Sequence, residues 1–153
     1  MNIKEQEMRK SITDIILETK KVQGVSYEEL AQAIGRNKVW VAAAIQGQAT
    51  MSEEEARTLV NYLKLEEEVI PFLTAIPTKG SLDESVPIDP LIYRFHEITQ
   101  VYGTTLKEVI HEEFGDGIMS AIDFRLDVDR KEDPNGDRVV VTMDGKFLPY
   151  KKW

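Results

Sequence analysis

The apolar residues switch from helical spacing to a period of two late in the chain, and that switch restricts what it can fold into. Up to Phe114 they recur at three and four positions, punctuated by helix caps. After Gly115-Asp116-Gly117, Ile122, Phe124, Leu126 and Val128 share one face of a strand, and Asp123, Arg125 and Asp127 share the other. Pro134-Asn135-Gly136-Asp137 supplies a turn into a second, Val-rich strand from Arg138 to Met143. Helices followed by one hairpin predict an α+β fold. A two-stranded hairpin is marginal in water, so its apolar face calls for a partner, most simply from another subunit.

The helical part divides at its caps. Met8, Ile12, Ile15, Thr19 and Val22 predict a first helix closed by Gly24. Ser26-Tyr27-Glu28-Glu29 is a capping box opening a helix to Ile34, with Gly35 as a left-handed C-terminal cap. Asn37 caps a helix through Ile45, stopped by Gly47. Ser52-Glu53-Glu54-Glu55 is a second capping box, with Ala56, Leu59, Val60 and Leu63 on the inner face that follows. Glu66 to Ala75 is expected to be a fifth helix with Pro71 in its first turn or kinking it. Residues 1–75 thus form a helical bundle domain, and 76–88, with Pro77, Gly80, Ser81 and Pro87, an extended connector. In the second domain, 89–153, Asp89-Pro90 starts a helix with Leu91, Phe95, Ile98 and Tyr102 on its apolar stripe. Gly103 is expected to close that helix, and Thr105-Leu106-Lys107-Glu108 to open another ending at Gly115.

Composition removes several kinds of chemistry. The 153 residues contain no cysteine, which excludes disulfides, thiolate nucleophiles and Cys-based metal sites. His96 and His111 are the only histidines, too few for a three-His metal cluster, so no metal is expected. With 27 acidic and 19 basic residues the net charge is -8, which opposes long-range attraction to nucleic acid or anionic lipid. No apolar run reaches the roughly 18 residues of a membrane span, and residues 1–7 lack the apolar segment of a signal peptide. No membrane association is expected, and a cytoplasmic location is the default.

Ser26 to Gly47 resembles the helix-turn-helix of phage-repressor-like proteins, with Leu30-Ala31 on the first helix, Gly35 at the turn and Val41 on the second. A DNA-binding regulator with an oligomerisation domain is therefore the alternative function. Lys38 to Gly47, however, offers one cation and a broad apolar surface where a recognition helix needs Arg, Lys, Asn or Gln. Residues 1–75 hold 9 basic and 12 acidic side chains, so packing and assembly are the preferred role, with no nucleic-acid partner.

The second half is more specific. Asp89-Pro90-Leu91-Ile92-Tyr93-Arg94-Phe95-His96-Glu97, Gln100-Val101-Tyr102-Gly103-Thr104-Thr105-Leu106-Lys107 and Phe114-Gly115-Asp116-Gly117-Ile118-Met119-Ser120-Ala121-Ile122-Asp123-Phe124 closely resemble the cyanase family, also called cyanate hydratase or cyanate lyase. The likeness continues through Thr142-Met143-Asp144-Gly145-Lys146-Phe147-Leu148-Pro149 and covers essentially the whole chain. The resemblance implies catalytic roles for Arg94, Glu97 and Ser120. It implies bicarbonate-dependent decomposition of cyanate to ammonia and carbon dioxide through carbamate, with bicarbonate a co-substrate and no cofactor. It also implies a homodecamer, a pentamer of dimers with interlocked C-terminal strands and sites between subunits. Detoxification and nitrogen supply are both compatible purposes.

The residue types suit that chemistry independently. Two anionic substrates repel, so a site must supply fixed positive charge and hydrogen-bond donors. Arg94 is a permanent planar donor fork. Glu97 lies three positions on, about 60° around the helix, where it can orient Arg94 or carry the proton that the leaving nitrogen needs. Ser120, just after the glycine-rich bend, offers a neutral hydroxyl donor. His96 points about 200° from Arg94 and His111 sits at a helix C-terminus, so neither is assigned catalysis. Trp40 and the methionines read as packing residues.

Overall fold

The computed structural model of the protein describes residues 3–77, 80 and 85–151. They form α1 (Ile3–Val22), α2 (Tyr27–Ile34), α3 (Lys38–Ile45), α4 (Glu53–Leu63), a 3-10 turn (Glu67–Val69), α5 (Ile70–Thr74), α6 (Pro90–Phe114), β1 (Gly117–Lys131) and β2 (Arg138–Pro149). The fold is α+β, with β1 and β2 paired as an antiparallel hairpin. The chain divides into two compact units, one of Met1–Ser81 with Asp127–Val139, the other of Leu82–Leu126 with Val140–Trp153. The tip of the hairpin thus belongs with the helical unit.

In the helical unit the caps organise the core. Both capping boxes form: Ser26 Oγ accepts from the Glu29 amide and Ser52 Oγ from the Glu55 amide, while each glutamate carboxylate accepts from the amide of its serine. Gly35 takes the left-handed conformation at φ 78°, and the Asn37 side chain caps α3. With entry and exit set, one face of each helix is buried. Ile16, Leu30, Val41, Ile45, Met51, Leu59 and Leu63 make the centre of a single core. The expected fifth helix is instead the 3-10 turn followed by five residues of α5, with Pro71 in its first turn, where a missing amide is tolerated.

The Glu55 carboxyl is pushed up by burial, and this is outweighed by the Ser52 amide and the Arg36 guanidinium, which hold it below the usual carboxylate range. A carboxyl whose folded value is depressed binds its proton more readily when unfolded. Its stabilisation is therefore present above the unfolded value of about 4.3 and is lost as pH falls through the lower folded value. Glu55→Gln should lower Tm at pH 7 and match the parent in thermal melts below that range. Ser52→Ala, which removes the cap from α4, should cost about 1 kcal/mol in chemical denaturation.

The other unit differs from the sequence expectation in its helix. Gly103 does not end it: α6 runs unbroken for 25 residues from Pro90 to Phe114, through both Gly103 and the expected Thr105 cap. An interior glycine costs only about 1 kcal/mol relative to alanine, less than breaking and re-nucleating a helix. Both strands also extend beyond the expected segments, β1 to 15 residues and β2 to 12. Of the expected apolar face, Phe124 and Leu126 are half-buried, while Ile122, at 96%, and Val128 are exposed in the single chain. No residue of α6 is buried.

Candidate active site

The site is built from the start of α6 and the start of β1. Asp89 Oδ1 accepts from the amides of Leu91 and Ile92, both at 2.9 Å, and Pro90 occupies the first turn. This cap fixes the beginning of the helix whose next turn carries Arg94 and Glu97. Arg94 Nη1 donates to Glu97 Oε2 at 2.7 Å. The Glu97 carboxylate, by that hydrogen bond and by its charge, raises the Arg94 guanidinium above its already high ordinary value, so the cation is permanent. The bond uses one of the five N–H donors of the fork, and Arg94 remains 69% exposed.

Ser120 is different in kind. At 7% exposure it is the buried polar side chain among the described residues. Its Oγ accepts from the amides of Ile122, at 3.1 Å, and Asp123, at 2.9 Å. A hydroxyl has two lone pairs and one proton. With two amides directed at the oxygen, the group is left to act as a donor, which suits an anionic ligand. The amide partners add to the donor role expected of Ser120 from its hydroxyl; a serine two and three residues ahead of them is the local pattern that marks such a turn.

Neighbouring groups secure the passage from α6 to β1. His111 Nε2 donates to the Gly117 carbonyl at 3.1 Å, and its Nδ1 lies 3.6 Å from Asp116 Oδ1. The Tyr150 amide donates to the Asp116 carbonyl at 3.0 Å, and the Tyr150 ring stands edge-on to His111 with centroids 6.5 Å apart. The His96 ring lies beside that of Tyr93, with centroids 5.8 Å apart. Within one chain the structure thus brings Arg94 and Glu97 together and ties Ser120 to its own strand. Among the described residues no hydrogen bond or ion pair joins Ser120 to that pair.

The helix-turn-helix presents no comparable equipment. None of the eight residues of α3 is exposed, and Val41, Ala44 and Ile45 are buried. Lys38 Nζ lies 3.7 Å from Glu28 Oε2 and 3.4 Å from Asp129 Oδ1 at the hairpin tip. The Arg36 guanidinium stacks on the Trp40 ring at 4.5 Å and is held by Glu55 at 2.6 Å. A helix whose residues are buried or half-buried, and whose own and neighbouring cations are engaged, is poorly equipped to read a DNA groove. The donors suited to a small anion thus lie on α6 and β1 and not on the helix-turn-helix.

Comparison with known proteins agrees. A family model described as cyanate hydratase, N-terminal, matches residues 9–77, and one described as cyanate lyase C-terminal domain matches 84–152. A cyanate hydratase of Synechocystis sp. is 58% identical over 143 residues, covering 94% of this chain and 95% of the relative. One of Trichormus variabilis is 59% identical over 142 residues, covering 93% and 97%. Among solved structures, the crystal structure of cyanase from T. urticae superposes with a TM-score of 0.80 at 41% identity, covering 90% of this chain and 96% of that one. The chain belongs to the cyanate hydratase family.

Proposed function

We propose that the protein decomposes cyanate with bicarbonate as co-substrate, and that Arg94, Glu97 and Ser120 carry the reaction. The observation that carries this is the Arg94–Glu97 bond on α6, in a chain whose relatives of 58–59% identity bear the name cyanate hydratase. An oxygen of bicarbonate attacks the cyanate carbon, forming a C–O bond and placing negative charge on nitrogen, which takes a proton. The hydroxyl proton of the former bicarbonate then passes to the nitrogen as the C–O bond between the bridging oxygen and the former bicarbonate carbon breaks, releasing carbon dioxide and leaving carbamate. Carbamate takes up one proton on nitrogen and its C–N bond breaks, giving ammonia and a second carbon dioxide. In sum, cyanate, bicarbonate and two protons give one ammonia and two carbon dioxide molecules.

The difficulty lies in bringing two anions together. At 4 Å their repulsion is about 1 kcal/mol in bulk water and about 4 kcal/mol at the effective dielectric of a protein surface. Arg94 offsets it with a fixed charge and a planar fork. Glu97 orients that fork, and Ser120 donates its remaining proton without adding charge. The reaction needs no resident metal or organic cofactor.

A homodecamer, built as a pentamer of dimers, fits the exposed apolar surface. Leu91, Phe95, Ile98, Tyr102, Leu106 and Val109 of α6 are all exposed, as are Ile122 and Met143 of the hairpin. A helix and a strand pair patterned for burial but uncovered call for further subunits, and a shared interface is where the serine of one chain meets the arginine of another. No described helix is long and apolar enough to cross a membrane, and the proposed place of action is the cytoplasm.

Ammonia release from cyanate tests this directly. Activity should vanish when bicarbonate is stripped from the assay, return in proportion to its addition, and withstand exhaustive chelation. Ammonia release undiminished without bicarbonate would refute the proposal.

A further inference from the structure

We infer that Gly145 is a positioning residue for Ser120, on the opposite strand of the hairpin. The inference rests on the proposed role of Ser120. Gly145 adopts no left-handed conformation, so its φ does not require glycine. Space does. A Cβ built on Gly145 would stand 2.5 Å from the Ser120 carbonyl oxygen and 2.5 Å from Met119 Cγ, with Met119 Sδ at 3.2 Å. Glycine inside a strand marks such a close approach of two backbones.

The two obstacles differ in kind. Met119 has a flexible side chain that can swing aside. The Ser120 carbonyl can retreat only by moving its peptide unit, and that unit is continuous with the atoms that set Oγ against the amides of Ile122 and Asp123. Any residue but glycine at 145 therefore displaces the serine donor while leaving every substrate-binding side chain chemically intact. Gly145 touches no reacting atom and acts through Ser120.

The test measures kcat and KM for cyanate at saturating bicarbonate in Gly145→Ala, Ser120→Ala and the double variant, each checked for parental assembly size. A misplaced donor costs about 100-fold in kcat, comparable with removing it, so each single variant should fall by about that factor with KM for cyanate little changed. Because both act through one hydroxyl, the double variant should match Ser120→Ala rather than fall a further 100-fold or so. Should Gly145→Ala fail to assemble, Met119→Ala/Gly145→Ala removes the side-chain obstacle and leaves the carbonyl one. It should assemble and still lack activity. Parental kcat in assembled Gly145→Ala or in the Met119→Ala/Gly145→Ala variant, beside an inactive Ser120→Ala, would overturn the role of Gly145 alone. So would multiplicative losses in the cycle. An active Ser120→Ala would overturn the role of Ser120 and this inference with it.

Discussion

Arg94→Lys should lower kcat/KM for cyanate at least about 100-fold, the scale of losing one preorganised donor at a developing anion, and so should Arg94→Ala. Lysine keeps the charge but not the function, because an ammonium is a compact point donor and the guanidinium a planar fork that can meet two anions at once. Arg94 also has its Nη1 fixed by Glu97 at 2.7 Å, so the orientation of its other donors is set before substrate arrives. A flexible lysine at 94 loses that preorganisation even if its charge reaches the same place. The exposed pair on α6 contributes little to folding, as surface ion pairs are worth about 0–1 kcal/mol. Both variants should therefore keep the parental helical content and assembly size. Lysine at 94 with near-parental turnover would mean that charge alone suffices.

Mixed oligomers should recover activity that neither parent has. Arg94→Ala and Ser120→Ala subunits should each be inactive alone, yet co-expression should create interfaces in which an intact Arg94 of one chain meets an intact Ser120 of another. The grounds are that the Ser120 hydroxyl accepts from amides of its own strand, that among the described residues no bond joins it to the Arg94–Glu97 pair within one chain, and that α6 has no buried residue. A site shared by two chains gives partial recovery, whose yield depends on how many subunits build each site. A site made within one chain gives none at any mixing ratio. Ammonia release is read on oligomers whose mixed composition is established by mass spectrometry, and complete inactivity there contradicts the shared site.

Local signals in the chain were the most legible. The capping boxes at Ser26 and Ser52, the Asn37 and Asp89 caps and the left-handed Gly35 all appear where hydrogen-bonding chemistry places them, because each depends on a few adjacent residues. Gly103 misled because its punctuation is weak, a penalty of about 1 kcal/mol that a 25-residue helix absorbs. The two-residue period is visible in the half-burial of Phe124 and Leu126, while Ile122 and Val128 of the same expected face are exposed in the single chain. At the site, the i, i+3 spacing of Arg94 and Glu97 made their bond legible. The two amide partners of Ser120 follow from a local pattern, whereas its burial and the closeness of Gly145 arise in the folded hairpin, which no local pattern encodes.

Attack by bicarbonate on the cyanate carbon is the central claim, and carbon labelling tests it most directly. With carbon-13 bicarbonate and unlabelled cyanate, rapid sampling under single-turnover conditions separates the first carbon dioxide released from the one that follows carbamate breakdown. Bicarbonate attack predicts that the first carbon dioxide carries the label of bicarbonate and that carbamate carries the carbon of cyanate. A first carbon dioxide derived from cyanate, with the label still in bicarbonate, contradicts it and points to attack by water.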